Sequence, residues 1–267
     1  MTGFAGRLGP GGLAILCGTA VAAAGYMVLF DGWLANRGAL VEAAGLHANA
    51  RDEELIAHAY RRYGSELPSH VLGEYAAILY DPAAGLLFLT HDALGVRPAF
   101  YGAAGDRIWF GSDLAALVAA TGTGEIDERY VASLFAGVED RGDRTPYRHL
   151  RRVRQGFGIL VERGGSQVRE RRGFDPAETV PVRFASSAAY EEAFRAAACE
   201  AVETALPSAG TVWCELSGGL DSSMLSILAA GCPGPKIETF SIVFSRSRAA
   251  DETPWMDALL AACPLRS

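Results

Sequence analysis

Short apolar runs separated by turn residues fill the first part of the chain, a pattern that predicts strands. Thr2–Leu8, Leu13–Cys17 and Tyr26–Phe30 are the first three, with Gly9-Pro10-Gly11-Gly12 after the first and Asp31-Gly32 turning the chain after the third. Tyr75–Tyr80 and Leu86–Thr90 are joined by Asp81-Pro82-Ala83-Ala84-Gly85, and Ala99–Tyr101 and Arg107–Phe110 flank Gly105-Asp106. Each pair predicts a hairpin. Helical spacing interrupts this pattern. Asp52–Tyr63 gathers Leu55, Ile56, Ala59 and Tyr60 on one face, with Asp52 at its start. Ser112–Ala120 and Asp127–Phe135 read as two more helices. Strands with a few helices make an α+β pattern.

The texture changes over Gly137–Arg172, which is rich in arginine and glycine. Gly156-Phe157-Gly158 leads into a strand over Ile159–Glu162, and Gly164-Gly165 marks a turn. The arginines read as a solvated hairpin and connector, with a docking surface for an acidic or peptide partner as the sharper alternative. Asp175–Phe184, with Pro176 and Pro181, reads as an extended linker. Ser187–Leu206 predicts an amphipathic helix capped by Ser186 or Ser187.

A buried strand is expected from Thr211 to Leu216, then a small-residue turn at Ser217-Gly218-Gly219. Asp221-Ser222-Ser223 starts a helix with Met224, Leu225, Ile227 and Leu228 as its apolar face. After a break at Gly231–Pro235, Glu238–Phe244 reads as a second strand and Asp251–Ala262 as a helix with Asp251 as N-cap. Strand, helix and strand at this spacing predict a βαβ unit with a parallel sheet and a right-handed crossover. Two parallel strands leave apolar edges and faces uncovered, so the chain is expected to carry only part of its second domain.

Composition narrows the class. The chain has 267 residues, 50% of them hydrophobic and 21% charged, which suits one or two soluble globular domains. A net charge of -7 argues against a general nucleic-acid binder. Cys17, Cys199, Cys214, Cys232 and Cys263 are scattered, and none pairs at zinc spacing with His47, His58, His70, His91 or His149. Free thiols in a reducing cytosol, and so a cytoplasmic location, are expected. Leu8–Phe30 holds no charged residue and is long enough to cross a bilayer. Its Gly/Pro turn, its interruptions at Gly18 and Gly25 and its alanines favour strands instead, so no membrane partner is expected.

The chemistry concentrates in Ser217-Gly218-Gly219-Leu220-Asp221-Ser222. A glycine turn between a strand and a helix leaves backbone N–H groups and the positive helix end facing one spot, which cradles an anion. Ser217 and Ser222 add hydroxyls. Asp221 is placed to hold the Mg²⁺ that neutralises phosphates. An ATP pyrophosphate site is the reading favoured over a plain strand-to-helix turn capped by Asp and Ser.

Ser217–Ser222 resembles the pyrophosphate loop (PP-loop) of the N-type ATP pyrophosphatases. Gly73–Asp81 and His91–Tyr101 resemble the N-terminal glutaminase-type domain of asparagine synthetases, and Thr239–Phe244 with Asp251-Glu252 is similar to the segment after their ATP loop. The resemblance implies an α+β Ntn-hydrolase-like sandwich over residues 1–175, a linker over 176–186, and over 187–267 the start of an α/β PP-loop domain. It implies ATP and Mg²⁺ as cofactors. Ser217, Gly218, Gly219 and Ser222 would bind pyrophosphate, Asp221 would hold the metal, and Leu216 and Ile242 would pack on adenine. The family's second metal aspartate, general base and late lysine have no counterpart in this sequence, so little turnover is expected from the chain alone.

Departures from the family are as informative. Its glutaminases carry cysteine directly after the initiator methionine, and here that position is Thr2. Threonine serves as an N-terminal nucleophile in other hydrolases of this broad fold, but an inactive glutaminase is expected. The family's Asn-Gly-Glu segment corresponds to Asp31-Gly32-Trp33, so Trp33 replaces a substrate-binding carboxylate. Asp52 resembles the remaining glutamine-contact aspartate, and the family's substrate arginine has no counterpart. Members without glutaminase activity use an amine carried by their substrate, as β-lactam synthetases and lasso-peptide macrolactam cyclases do. Glu215 before Leu216-Ser217 is closer to the peptide cyclases. The resemblance implies a carbon–nitrogen ligase with a carboxylate substrate, such as a precursor peptide, and a maturation protease as partner. A glutamine-hydrolysing asparagine synthetase homologue and a non-catalytic binding protein are the alternatives.

Overall fold

Two antiparallel sheets frame Met1–Thr179, the first of two units into which the chain divides, and Val180–Ser267 is the second. The computed structural model describes residues 3–138, 142–163, 168–244, 246–247, 251–263 and 265. The division falls inside the linker expected over 176–186. There Pro176–Glu178 makes one 3₁₀ turn capped by Asp175.

In the first unit β1 (Ala5–Gly9) and β2 (Gly12–Cys17) form a hairpin, and β3 (Val21–Ala23) and β4 (Tyr26–Leu34) form another. Helices α1 (Arg37–Ala44), α2 (Asp52–Tyr63) and α3 (Leu67–His70) follow, then β5 (Gly73–Asp81) and β6 (Leu86–His91). Next come β7 (Phe100–Ala104), β8 (Arg107–Gly111), α4 (Leu114–Thr121) and α5 (Glu128–Phe135). The strands β9 (Arg151–Arg152), β10 (Phe157–Glu162) and β11 (Val168–Arg172) complete the unit. One sheet has the order β2-β1-β8-β7-β9 and the other β11-β10-β6-β5-β4-β3.

Residue alternation along β5 explains the layering. Ala76, Ile78 and Tyr80 join Phe4, Leu8, Leu29, Leu89, Ile108 and Phe110 in one core, which draws on both sheets. Tyr75, Ala77 and Leu79 point the other way and pack with Leu55, Ile56 and Ala59 of α2. A strand buried on both faces reads as a continuous apolar run. The α+β sandwich expected for the first part is the fold observed. The uncharged stretch Leu8–Phe30 is divided among β1–β4, and no described helix is long and apolar enough to cross a membrane. The five cysteines are free thiols.

Several boundaries differ from expectation. The first strand begins at Ala5, and Thr2 lies outside the described residues. Asp31-Gly32 does not turn the chain. The strand runs on to Leu34, with Gly32 opposite Tyr75. Gly32 has φ 143°, and a Cβ there would stand 2.0 Å from the Glu74 carbonyl oxygen. The glycine therefore serves a close backbone approach inside a strand, which resembles a turn signal in sequence. Helices α1 and α3 were not expected; each is short and buries few apolar residues. Part of the arginine-rich stretch forms the antiparallel β10–β11 pair, where Arg169, Arg171 and Arg172 are exposed, while Arg151, Arg152 and Arg154 are half-buried. Arg154–Glu170, Arg169–Glu162 and Arg172–Asp175 are paired there, and Gly164-Gly165 lies outside the described residues.

The second unit contains α6 (Ser187–Ala205), β12 (Thr211–Glu215), α7 (Leu220–Gly231), β13 (Lys236–Phe240) and α8 (Thr253–Ala262). Ser186 caps α6, its hydroxyl accepting from Ala189 N. β12 and β13 are parallel, in register from Thr211↔Lys236 to Glu215↔Phe240. Val212, Cys214 and Ile237 face a small core with Ala229 of α7 and Leu265. The strand expected to be buried is covered on one face only, and Trp213 is 60% exposed. The expected apolar face of α7 is also revised. Ser226 and Ala229 are its buried residues, and Leu225 and Ile227 are exposed, because small residues let the helix lie close to the strands. β13 stops at Phe240, where its partner strand ends, so Ser241–Phe244 is not strand.

Asp92 organises the segment after β6. It is buried, and its carboxylate accepts from the N–H groups of Tyr75 (3.3 Å), Leu94 (3.2 Å), Val96 (3.0 Å) and Arg97 (2.9 Å). Asp92→Ala should cost about 2–4 kcal/mol in urea unfolding, because it leaves four backbone N–H groups, that of Tyr75 buried, without their acceptor. Asp106→Ala, in the exposed β7–β8 turn, should stay within about 0.5 kcal/mol.

Candidate functional site

The end of β12 and the start of α7 shape the loop Ser217–Ser222. Leu216 N donates to Phe240 O at 2.9 Å, which fixes where the strand stops. Gly218 then takes φ 83°, and Gly219 is the N-cap of α7. The first helical bond runs from Ser223 N to Gly219 O at 3.2 Å. The N–H groups of Leu220, Asp221 and Ser222 precede it and have no intrahelical acceptor. They share one end of the helix, where the dipole favours negative charge.

Hydroxyls close the loop. Ser222 Oγ accepts from Ser217 N at 3.2 Å and lies 2.9 Å from Ser217 Oγ. Ser217 Oγ accepts from Gly219 N at 3.4 Å. Ser217, Gly218, Gly219, Asp221 and Ser222, named from sequence, therefore meet at one helix end. Leu216 and Ile242 fare differently. Leu216 is fully buried, so its side chain offers nothing to a ligand. Ile242 is 61% exposed and stands two residues beyond β13, not at a strand end.

The donor set fits a polyphosphate. It offers the backbone N–H groups of the first helical turn and two hydroxyls. Asp221 is exposed in the first turn of α7. Among the described residues no three His, Cys, Asp or Glu side chains gather as a metal cage. A cation at Asp221 would complete its shell with phosphate oxygens and water, the usual manner for Mg²⁺. Burial pushes the Cys214 thiol on β12 up from its ordinary value.

Sequence reasoning missed the wall of the loop. A Cβ built on Gly218 would meet Glu252 O at 3.1 Å, Glu252 Cβ at 3.2 Å and Trp255 Cβ at 3.3 Å. Glu252, not Asp251, is the N-cap of α8. The Asp251 carboxylate, held below the usual range by its hydrogen bonds from Thr253, braces that end from outside. The available signal was helical spacing, since Glu252 and Trp255 lie one turn before Met256 and Leu259.

The residues singled out in the first unit do not assemble in the same way. Asp31 Oδ2 accepts from Ser112 Oγ at 2.7 Å, Ser112 Oγ accepts from Phe4 N at 3.1 Å, and Arg97 lies 3.7 Å from Asp31 Oδ1. Trp33 stands opposite Glu74 across β4 and β5. Asp52 is bound to Arg37 at 2.9 Å, and Arg37 also donates to the Ala48 and Ala50 carbonyls. That carboxylate therefore pins the α1–α2 connection.

Comparison with known proteins gives two matches along the chain. A glutamine amidotransferase domain family matches residues 23–172, and an asparagine synthase family matches residues 193–266. The chain is 25% identical over 232 residues to asparagine synthetase [glutamine-hydrolyzing] 1 of Bacillus subtilis, covering 83% of this chain and 35% of that protein. It is 24% identical over 256 residues to asparagine synthetase [glutamine-hydrolyzing] 3 of the same organism, covering 89% and 41%. The chain thus spans well under half the length of these relatives. Among solved structures, the B. subtilis glutamine phosphoribosylpyrophosphate amidotransferase aligns with a TM-score of 0.40 at 15% identity, over 84% of this chain and 48% of that one.

Gly218→Ala should cost about 1–2 kcal/mol in urea unfolding, through its φ and its contact with Glu252. Gly219→Ala, at φ −74° with Ser217 Oγ 3.4 Å away as its nearest neighbour, should stay within about 0.5 kcal/mol.

Proposed function

This chain belongs to the asparagine synthetase family, and on that premise we propose that it serves ATP-dependent amide-bond formation through an acyl-adenylate. The carrying observation is the Ser217–Ser222 loop at the N-terminus of α7, closed by the Ser217–Ser222 hydroxyl contact. In the reaction, a substrate carboxylate attacks the α-phosphorus of ATP and pyrophosphate leaves. An amine then attacks the acyl carbon, AMP leaves, and one proton is released. The N–H groups of Leu220, Asp221 and Ser222 stabilise the charge that moves onto the leaving pyrophosphate. Ser217 and Ser222 orient it with their hydroxyls. Asp221 would hold Mg²⁺, which supplies charge neutralisation when bound.

The finer reading is macrolactam closure of a lasso-type precursor peptide, with a maturation protease as partner. Two features support an amine carried by the substrate. Threonine occupies the position of the glutaminase cysteine, and Trp33 stands where that pocket needs a carboxylate. The glutamine-hydrolysing asparagine synthetases among the relatives favour the second reading, an asparagine synthetase homologue. Release of glutamate from glutamine by the purified chain would select that reading.

Asp221→Asn should weaken Mg·ATP binding by about tenfold or more in calorimetry, since it removes the carboxylate placed for the metal. Unchanged affinity would remove the nucleotide reading.

A further inference from the structure

We propose that the groove between α1 and α2 binds a small monocarboxylate with an aliphatic body, at a site independent of the Ser217–Ser222 loop. Helical spacing puts Leu40, Ala43 and Ala44 on one stripe of α1, and Leu55, Ala59 and Arg62 on one stripe of α2. Leu40, Leu55 and Ala59 are buried in the core that α2 shares with β5. Three of the facing positions are alanine. They leave a cavity of about 270 Å³ where larger side chains would close the helix contact.

The mouth of this cavity is basic. His58, Arg61 and Arg62 line it, and no acidic side chain does. The acids of α2 are engaged at its other end: Asp52 pairs with Arg37, Glu53 pairs with Arg51, and Glu54 accepts from Arg51 N. Arg62 lies over the Tyr63 ring, its Cζ 5.3 Å from the centroid. The side chains of His58 and Arg61 have no hydrogen-bond or ion-pair partner among the described residues. Both arginines sit in the last turn of α2, where they also favour the helix dipole. That role needs neither a cavity nor an apolar floor. Guanidinium groups at the rim match a carboxylate, which they can hold through paired charge-assisted hydrogen bonds. The floor of Leu40, Leu55 and Ala59 matches an aliphatic chain, which gains by leaving water. The volume is at the small end for ligand sites, which suits a medium-chain acid better than a nucleotide or a peptide.

The test titrates octanoate, 1-octanol and acetate into the full isotope-labelled chain and follows backbone amide shifts. Octanoate should bind saturably, with shifts centred on residues 40–45 and 55–63. It should bind about fivefold or more tighter than 1-octanol, which lacks the charge, and acetate, which lacks the chain. The double variant Arg61→Gln/Arg62→Gln should weaken octanoate by about fivefold or more and leave 1-octanol unchanged. Ala43→Leu, at an exposed wall position, should fill the cavity and weaken octanoate and 1-octanol alike, with urea unfolding confirming that the chain stays folded. Absence of saturable octanoate shifts in the unaltered chain, or shifts confined to other segments, would overturn the proposal. Equal affinity for octanoate and 1-octanol, or unchanged octanoate binding in the double arginine variant or in folded Ala43→Leu, would do the same.

Discussion

Parallel pairing of β12 with β13 is the constraint from which the candidate site follows. Two parallel strands cannot be joined by a hairpin, so the chain must cross back through a helix. That helix, α7, starts where β12 ends, and its first N–H groups are left at the strand terminus. The six residues from Ser217 to Ser222 make this junction short. Gly218 supplies the left-handed turn, and the two serines replace water as partners for the loop's own backbone. The anion cradle is a consequence of topology before it is a motif.

The first unit obeys a different rule. Its central strand β5 is apolar on both faces, which forces a second sheet on one side and helices on the other. Three aspartates of this frame are tied up in structural bonds. Asp92 gathers four N–H groups, and Asp52 pins Arg37. Asp31 is joined to Ser112 and through it to Phe4. Side chains that resemble glutamine contacts in sequence thus carry structural bonds.

Much of this was legible in the residues. Long periodic elements were readable because their patterns are set locally: α2 spans Asp52–Tyr63, as its apolar spacing indicates. The loop was readable for the same reason, since strand, glycines and helix start are contiguous. Gly32 was not, because a glycine needed for a close cross-strand approach looks like a turn until its partner Tyr75 is known. The apolar face of α7 failed because burial there depends on how near the helix lies to the strands. Trp255 was missed because its meaning comes from Gly218, 37 positions earlier in the chain, and no local pattern links them.

Hydrogen exchange of the full chain with and without Mg·ATP tests the central claim most directly, because the proposed contacts are backbone N–H groups. Slower exchange at Ser217–Ser223, with the β10–β11 hairpin unchanged, is the predicted result. Unchanged exchange at Ser217–Ser223, or protection confined to other segments, would contradict the assignment of this helix end as the pyrophosphate site.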